Sequence, residues 1–168
     1  MNFLISLKRK KKDFFKKENI YFLTTIVIIF FIDRYSKLNI INNFNDRKYF
    51  VNDFVNLDLI WNSGIGFGLL SSEISIVYNS ITAIIGLVII VLIYLMIISK
   101  RLDKLIFSII IGGALGNFYD RVIFNAVPDF LDVHFNNFHW FTFNLADIFI
   151  TVGIILLLFK KDVLKKND

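Results

Sequence analysis

Five ionisable side chains stand within or at the ends of long apolar stretches: Asp33, Lys37, Asp120, Arg121 and Asp147. Such a group costs ~2.5–3.5 kcal/mol at the centre of a lipid-immersed helix, so it persists where it is paired or where it works. Asp33 and Lys37 are four apart and can pair on one helical face. Asn117, Asp120 and Arg121 stand at i, i+3 and i+4 and share a face too. Asn144 precedes Asp147 by one turn, so its amide can reach that carboxylate or a bound substrate. A sixth acid, Asp129, follows Pro128, whose ring fixes its own φ and drives Val127 to an extended conformation. Phe130, Leu131 and Val133 make this segment apolar enough to dip into a membrane interface.

Two carboxylates that converge at such a surface suggest acid–base hydrolysis. Like charges ~3 Å apart cannot both ionise easily, so the pair shares one proton. The ionised member takes a proton from water; the protonated member polarises a carbonyl and later donates to the leaving amine. The residues alone leave open which acids form the pair. Each also has a plainer reading: Asp120 as a polar tie in a helix crossing, Asp129 as turn chemistry, Asp147 as a packing contact. Arg121 offers a rigid fork of donors suited to a carbonyl, carboxylate or phosphate, and so to a substrate backbone.

Other chemistries find little support. Cysteine is absent, which excludes thiolate nucleophiles and disulfides. His134 and His139 are five apart in an expected loop with Asp132 the only near third ligand, so no metal site is expected. No cofactor is expected either, since the glycine-rich stretches lack the Gly-Lys-Ser/Thr ending of a phosphate loop.

The elements that must position these groups are read from the apolar blocks. Hydrophobic residues make up 56% of the 168 and charged residues 20%, with a net charge of +5. The apolar residues come in long runs, as in helices immersed in lipid. The fold class expected is an all-α membrane protein of four transmembrane helices, with a small extramembrane β-containing subdomain between helices 1 and 2. The boundaries expected are a basic tail over 1–18, helices over 19–41, 74–99, 105–121 and 140–159, the β-like subdomain over 42–73, a loop over 122–139 and a tail over 160–168. Basic clusters fall at both ends and at Lys100, Arg101 and Lys104. The positive-inside rule makes these places cytoplasmic and turns 42–73 and 122–139 outward. Basic residues placed beside apolar blocks are topology signals and lipid contacts, so no nucleic acid is expected as a partner. Gly112 and Gly116 form a GxxxG pair that lets another helix approach closely.

Five motifs in order now carry a resemblance. Asp33-Arg34-Tyr35-Ser36-Lys37, Asn62-Ser63-Gly64-Ile65-Gly66-Phe67, Gly112 through Arg121, Val127-Pro128-Asp129-Phe130 and Phe143-Asn144-Leu145-Ala146-Asp147 are similar to the motifs of the lipoprotein signal peptidase (signal peptidase II) family. The similarity runs from about Ile20 to Phe159. Ile65-Gly66 stands where that family usually has two alanines, and Pro128 where it has valine. The resemblance implies an aspartic endopeptidase of the bacterial inner membrane, with both termini cytoplasmic and its site facing outward. It would cut prolipoproteins just before the diacylglyceryl-modified cysteine, and globomycin would inhibit it. By motif match Asp129 and Asp147 would be the catalytic pair. Asn62, Gly64, Asn117, Arg121 and Asn144 would position substrate or carboxylates, with Asp33 and Lys37 in support. Asp120 would be an accessory acid and the main rival of Asp129. Two other readings remain: a small proton-coupled transporter or channel component with Asp147 as relay, and a purely structural membrane subunit.

Overall fold

The computed structural model describes residues 17–44, 48–64, 75–136 and 138–165. The basic tail before residue 17 and the Ile65-Gly66 departure lie outside the described residues. Among the described residues four helices and four strands follow in chain order: α1 (Lys17–Asn43), β1 (Tyr49–Asn52), β2 (Val55–Asn62), α2 (Ser75–Ile98), α3 (Arg101–Phe124), β3 (Val127–Phe135), β4 (Phe138–Phe143) and α4 (Leu145–Lys165).

Among the described residues three helical stretches are long and apolar enough to cross a membrane: Asn19–Asn43, Ile76–Ile98 and Arg101–Phe124. Large apolar side chains such as Ile84, Leu87, Ile90 and Tyr94 of α2 are exposed. In water such a surface would be an association site, whereas in lipid it is the solvent-facing side. The helix most enclosed by its neighbours is α3, whose glycines set the spacing. A Cβ at Gly112 would stand 2.8 Å from Cβ of Ile29 on α1, and one at Gly116 would collide with the Asp33 carboxylate. One residue round the helix, a Cβ at Gly113 would stand 2.6 Å from the carbonyl oxygen of Ala146 on α4. The GxxxG face therefore receives α1, while Gly113 receives α4. With no hydrophobic drive between helices in lipid, such close backbone approach is what holds a bundle together.

The β structure is more extensive than the sequence reading expects. Residues 127–135 and 138–143 form β3 and β4 rather than a loop and the start of a helix, and the four strands make one antiparallel sheet in the order β1-β2-β3-β4. The reason is pairing. Leu57 lies opposite Leu131, and Leu131 in turn opposite Phe143, so two chain segments far apart in sequence satisfy each other's backbone groups. Phe138 through Phe143 is a run of aromatic and β-branched residues that also suits a strand, and only a neighbouring β3 decides between strand and helix. Pro128 lies beyond the last β3–β4 pair, on a stretch with one neighbour strand only, where proline is tolerated.

The close crossing of α3 with α4 predicts that Gly113→Ala lowers the unfolding temperature in detergent, at an overpacking cost of about 1–3 kcal/mol. Gly86→Ala is expected to cost less, because its Cβ would meet only the Phe118 ring, at 3.2 Å. Equal melting of both variants and the parent would contradict the crossing.

Candidate active site

The site is assembled from a buried charge cluster upward. Lys37 on α1 is fully buried, as are Asp33 and Asp120. Its Nζ donates to Asp33 Oδ2 at 2.7 Å and to Asn117 Oδ1 at 2.8 Å. It also stands 2.8 Å from Asp120 Oδ2, off the hydrogen-bonding direction. Arg34 donates to the other oxygen of Asp120 and lies over the Tyr119 ring. Two cations and two carboxylates thus balance in a space that water does not reach. Unpaired, any of them would cost several kcal/mol.

From this cluster the order passes to α4. Asp33 Oδ1 accepts the backbone N–H of Ala146 at 3.0 Å. The first N–H groups of a helix have no partner within it, so Asp33 caps α4 from another helix. Asn144 is the N-cap residue. Its Oδ1 accepts the N–H of Asp147 at 3.1 Å, and Asp147 Oδ2 accepts the N–H of Asn144 at 3.2 Å. This reciprocal pair is a capping box, and it holds the Asp147 carboxylate in the first turn of α4.

Three asparagine amides then reach the two acids. Asn117 has its oxygen engaged by Lys37, so its NH2 faces outward and donates to Asp147 Oδ1 at 2.8 Å. Asn144 has its oxygen engaged by the Asp147 N–H, and its NH2 donates to Asp129 Oδ1 at 2.6 Å. Asn62 has its oxygen engaged by the N–H of Gly64, and its NH2 donates to Asp129 Oδ2 at 2.8 Å. An amide held by its oxygen cannot flip, so each presents donors where a carboxylate needs them. Asn144 links the two acids directly, through its side chain to Asp129 and its backbone to Asp147.

The sheet aims the remaining groups. Between Leu57↔Leu131 and Ile60↔Asp129, β2 advances three residues while β3 advances two. This bulge brings Asn62 diagonally across from Asp129, within side-chain reach. Asp129 is 3% exposed. Burial pushes its carboxyl up to about 6, and the negative charge of Asp147 adds to this, against the opposing amide bonds from Asn62 and Asn144. Arg121 uses Nη2 on the carbonyl of Gly64. Its Nε and Nη1 are buried and find no hydrogen-bond partner among the described residues.

Asn62, Asn117, Arg121, Asp129, Asn144 and Asp147 line one cavity of about 290 Å³. Its apolar wall runs down the bundle past Ile85, Ala114 and Ile150. A larger hollow of about 390 Å³ between α1 and α3, lined by residues such as Phe30, Leu115 and Val122, presents no carboxylate, amide or cation and so cannot be the reaction site. Asp120 is absent from the cavity wall and is spent on Arg34 and Lys37. Arg34 is a residue that sequence reasoning passed over. Its spacing of three from Lys37, with Asp120 and Arg121 adjacent on another helix, was the available signal. Tyr78 was also missed; its hydroxyl donates to the Arg121 carbonyl at 3.0 Å.

Residues 25–161 match a family model described as signal peptidase (SPase) II. A protein named lipoprotein signal peptidase in Pelagibacter ubique (strain HTCC1062) is 49% identical over 132 residues, covering 77% of this chain and 80% of that one. The protein of the same name in Francisella tularensis subsp. novicida (strain U112) is 40% identical over 122 residues, covering 70% and 76%. A bacterial membrane enzyme structure determined by the in meso method at 2.3 Å superposes with a TM-score of 0.72 at 29% identity, covering 88% of this chain and 90% of that one. A second, at 1.9 Å, gives 0.71 at 27% identity, covering 83% and 91%.

The buried cluster predicts that Lys37→Met lowers stability by about 3–5 kcal/mol, since it strands the buried Asp33 carboxylate without a cation and leaves Asp120 to Arg34 alone. Lys48→Met is expected to cost ~1 kcal/mol at most, because Lys48 pairs with Asp58 at an exposed site. Thermal unfolding of both variants in detergent checks this, and similar melting of the two would refute the dependence on Lys37.

Proposed function

This chain belongs to the signal peptidase II family, and from that premise we propose that it hydrolyses its substrate through the Asp129–Asp147 pair. The protein is a lipoprotein signal peptidase, which removes signal peptides from prolipoproteins. The observation that carries the aspartic mechanism is that both carboxylates line one cavity and are bridged by a single residue, Asn144.

In the proposed reaction Asp129 holds the shared proton and Asp147 is ionised. Asp147 occupies the first turn of α4, where unpaired N–H groups and the helix dipole offset a negative charge. It takes a proton from water as the oxygen attacks the scissile carbonyl. Asp129 donates a hydrogen bond to that carbonyl and stabilises the tetrahedral centre. The proton gained by Asp147 passes to the departing amine as the C–N bond breaks, leaving a carboxyl group on the signal peptide, which then loses its proton to solvent, and a free N-terminal amine; Asp147 is again ionised and Asp129 again protonated. Arg121 holds a substrate carbonyl with the donors that Gly64 does not use. The scissile bond would lie just before a diacylglyceryl-modified cysteine, whose acyl chains suit a cavity that opens along apolar helix faces.

The membrane arrangement fits this reading. A fourth span is supplied by α4, whose 21 residues rise ~31 Å, close to the ~30 Å hydrocarbon thickness. Four spans put both basic ends and the α2–α3 turn on the cytoplasmic side. The sheet and the carboxylate pair then face outward from the inner membrane. Membrane lipids surround the apolar faces, and globomycin is expected to occupy the substrate cavity. A transporter that used Asp147 as a relay would have no need of the amides that bind the pair.

Asp129→Asn and Asp147→Asn are each expected to reduce cleavage of a purified diacylglyceryl prolipoprotein by at least ~10³-fold while the protein inserts and melts normally. Full activity in either variant would sink the mechanism. The pH profile provides a second check. If Asp129 must be protonated, kcat/KM falls as pH rises through its raised pKa, so the upper limb lies at or above about 6. An upper limb near 3.8, in the ordinary carboxylate range, would contradict the assignment of the proton.

A further inference from the structure

The outer end of the sheet holds a group of metal-ligating side chains that the peptidase reaction does not use. Asp132 and His134 are two apart on β3 and therefore point to one face of the strand. His139 is on β4. The register there shifts by one: Val133 lies opposite Phe141, but His134 lies opposite His139, which leaves Trp140 as the extra residue of a bulge. Without that bulge His134 would face Trp140, and His139 would be turned to the other side of the sheet. With it, one ring nitrogen from each histidine and an oxygen of Asp132 lie within 4.8 Å of one another. The two imidazole rings stand side by side at 5.2 Å and 22°.

We propose that Asp132, His134 and His139 form a binding site for one divalent transition-metal ion of the zinc class. The donor set is the first argument: two imidazoles and a carboxylate suit Zn²⁺ and its late first-row neighbours, whereas Mg²⁺ and Ca²⁺ require oxygen ligands. Burial is the second. Asp132 is 3% and His134 7% exposed, and Nδ1 of His134 is buried with no hydrogen-bond partner among the described residues. A buried imidazole nitrogen left without a partner is costly unless something binds the ring. Distance is the third. Nδ1 of His139 is 2.7 Å from Asp132 Oδ2, and tetrahedral ligands at ~2.0–2.1 Å from zinc stand ~3.4 Å apart. Widening by less than an ångström suffices, and His139, its side chain 46% exposed, is the partner with room to shift. Water or a further donor completes the coordination.

The site is separate from the proposed catalytic pair. Asp129 precedes Asp132 by three residues on β3 and so points to the opposite face. An ion bound here would clamp β4 onto the strand that carries Asp129.

The test uses the full-length chain without a histidine tag, purified in detergent and stripped with a chelator. Titration with Co²⁺ should give visible ligand-field bands that saturate at one ion per chain, and Zn²⁺ should displace them and raise the unfolding temperature. His139→Gln, at an exposed edge where folding is not at stake, should weaken Co²⁺ binding at least tenfold, as should Asp132→Asn. Asp129→Asn should bind as the parent does. A parent chain that shows no Co²⁺ bands would mean that Asp132 and His139 are merely a hydrogen-bonded pair, and would overturn the site. So would tight binding that survives His139→Gln, or binding that is lost in Asp129→Asn.

Discussion

A lysine ammonium sealed from water constrains everything else in this structure. Lys37 donates hydrogen bonds to Asp33 and Asn117 and makes a charge contact with Asp120. They come from α1 itself and from α3. Asp33 then reaches over to cap α4. A charge in such surroundings is tolerable only when its partners are in place, so the energetics of one side chain dictate the relative placement of three helices. The glycine stripe on α3 is the steric counterpart. Only because Gly116 has no side chain can the Asp33 carboxylate occupy its position.

The same cluster acts on the acid pair indirectly. Among the described residues neither Asp129 nor Asp147 makes an ion pair, and their nearest partners are neutral amides. A cation in direct contact would favour the ionised form and drive off the shared proton that the proposed reaction requires. Lys37 instead makes its direct contacts with Asp33, Asp120 and Asn117, and orients Asp147 by way of the Asn117 amide. Neutral donors position the carboxylates without committing both of them to the charged state.

The sheet contributes precision through irregularity. The bulge in β2 sets Asn62 against Asp129, and the bulge in β4 sets His139 against His134. Each inserts one residue and re-aims a side chain, on opposite sides of β3. The sheet also links the segment before α2 to the segment after α3, so that Asn62 and Asp129, far apart in the chain, converge on one hydrogen bond.

Much of this protein is determined by local sequence. Long apolar runs specify helices in lipid whatever they pack against, because the backbone has no other way to satisfy its hydrogen bonds there. The Asp33–Lys37 pair and the Asn144–Asp147 capping box follow from spacings of four and three on a single helix. The family was legible because its motifs are contiguous. What tertiary structure decided is everything that depends on pairing across the chain. Phe138 through Phe143 reads equally well as the start of a helix, and becomes a strand only because β3 lies beside it. Asp120 and Asp129 are equivalent candidates in sequence; in the fold Arg34 and Lys37 engage the first, and the second lies in the cavity wall. The convergence of Asp132, His134 and His139 rests on one unpaired residue, Trp140, and a register shift leaves no mark in the sequence because it is set by the partner strand.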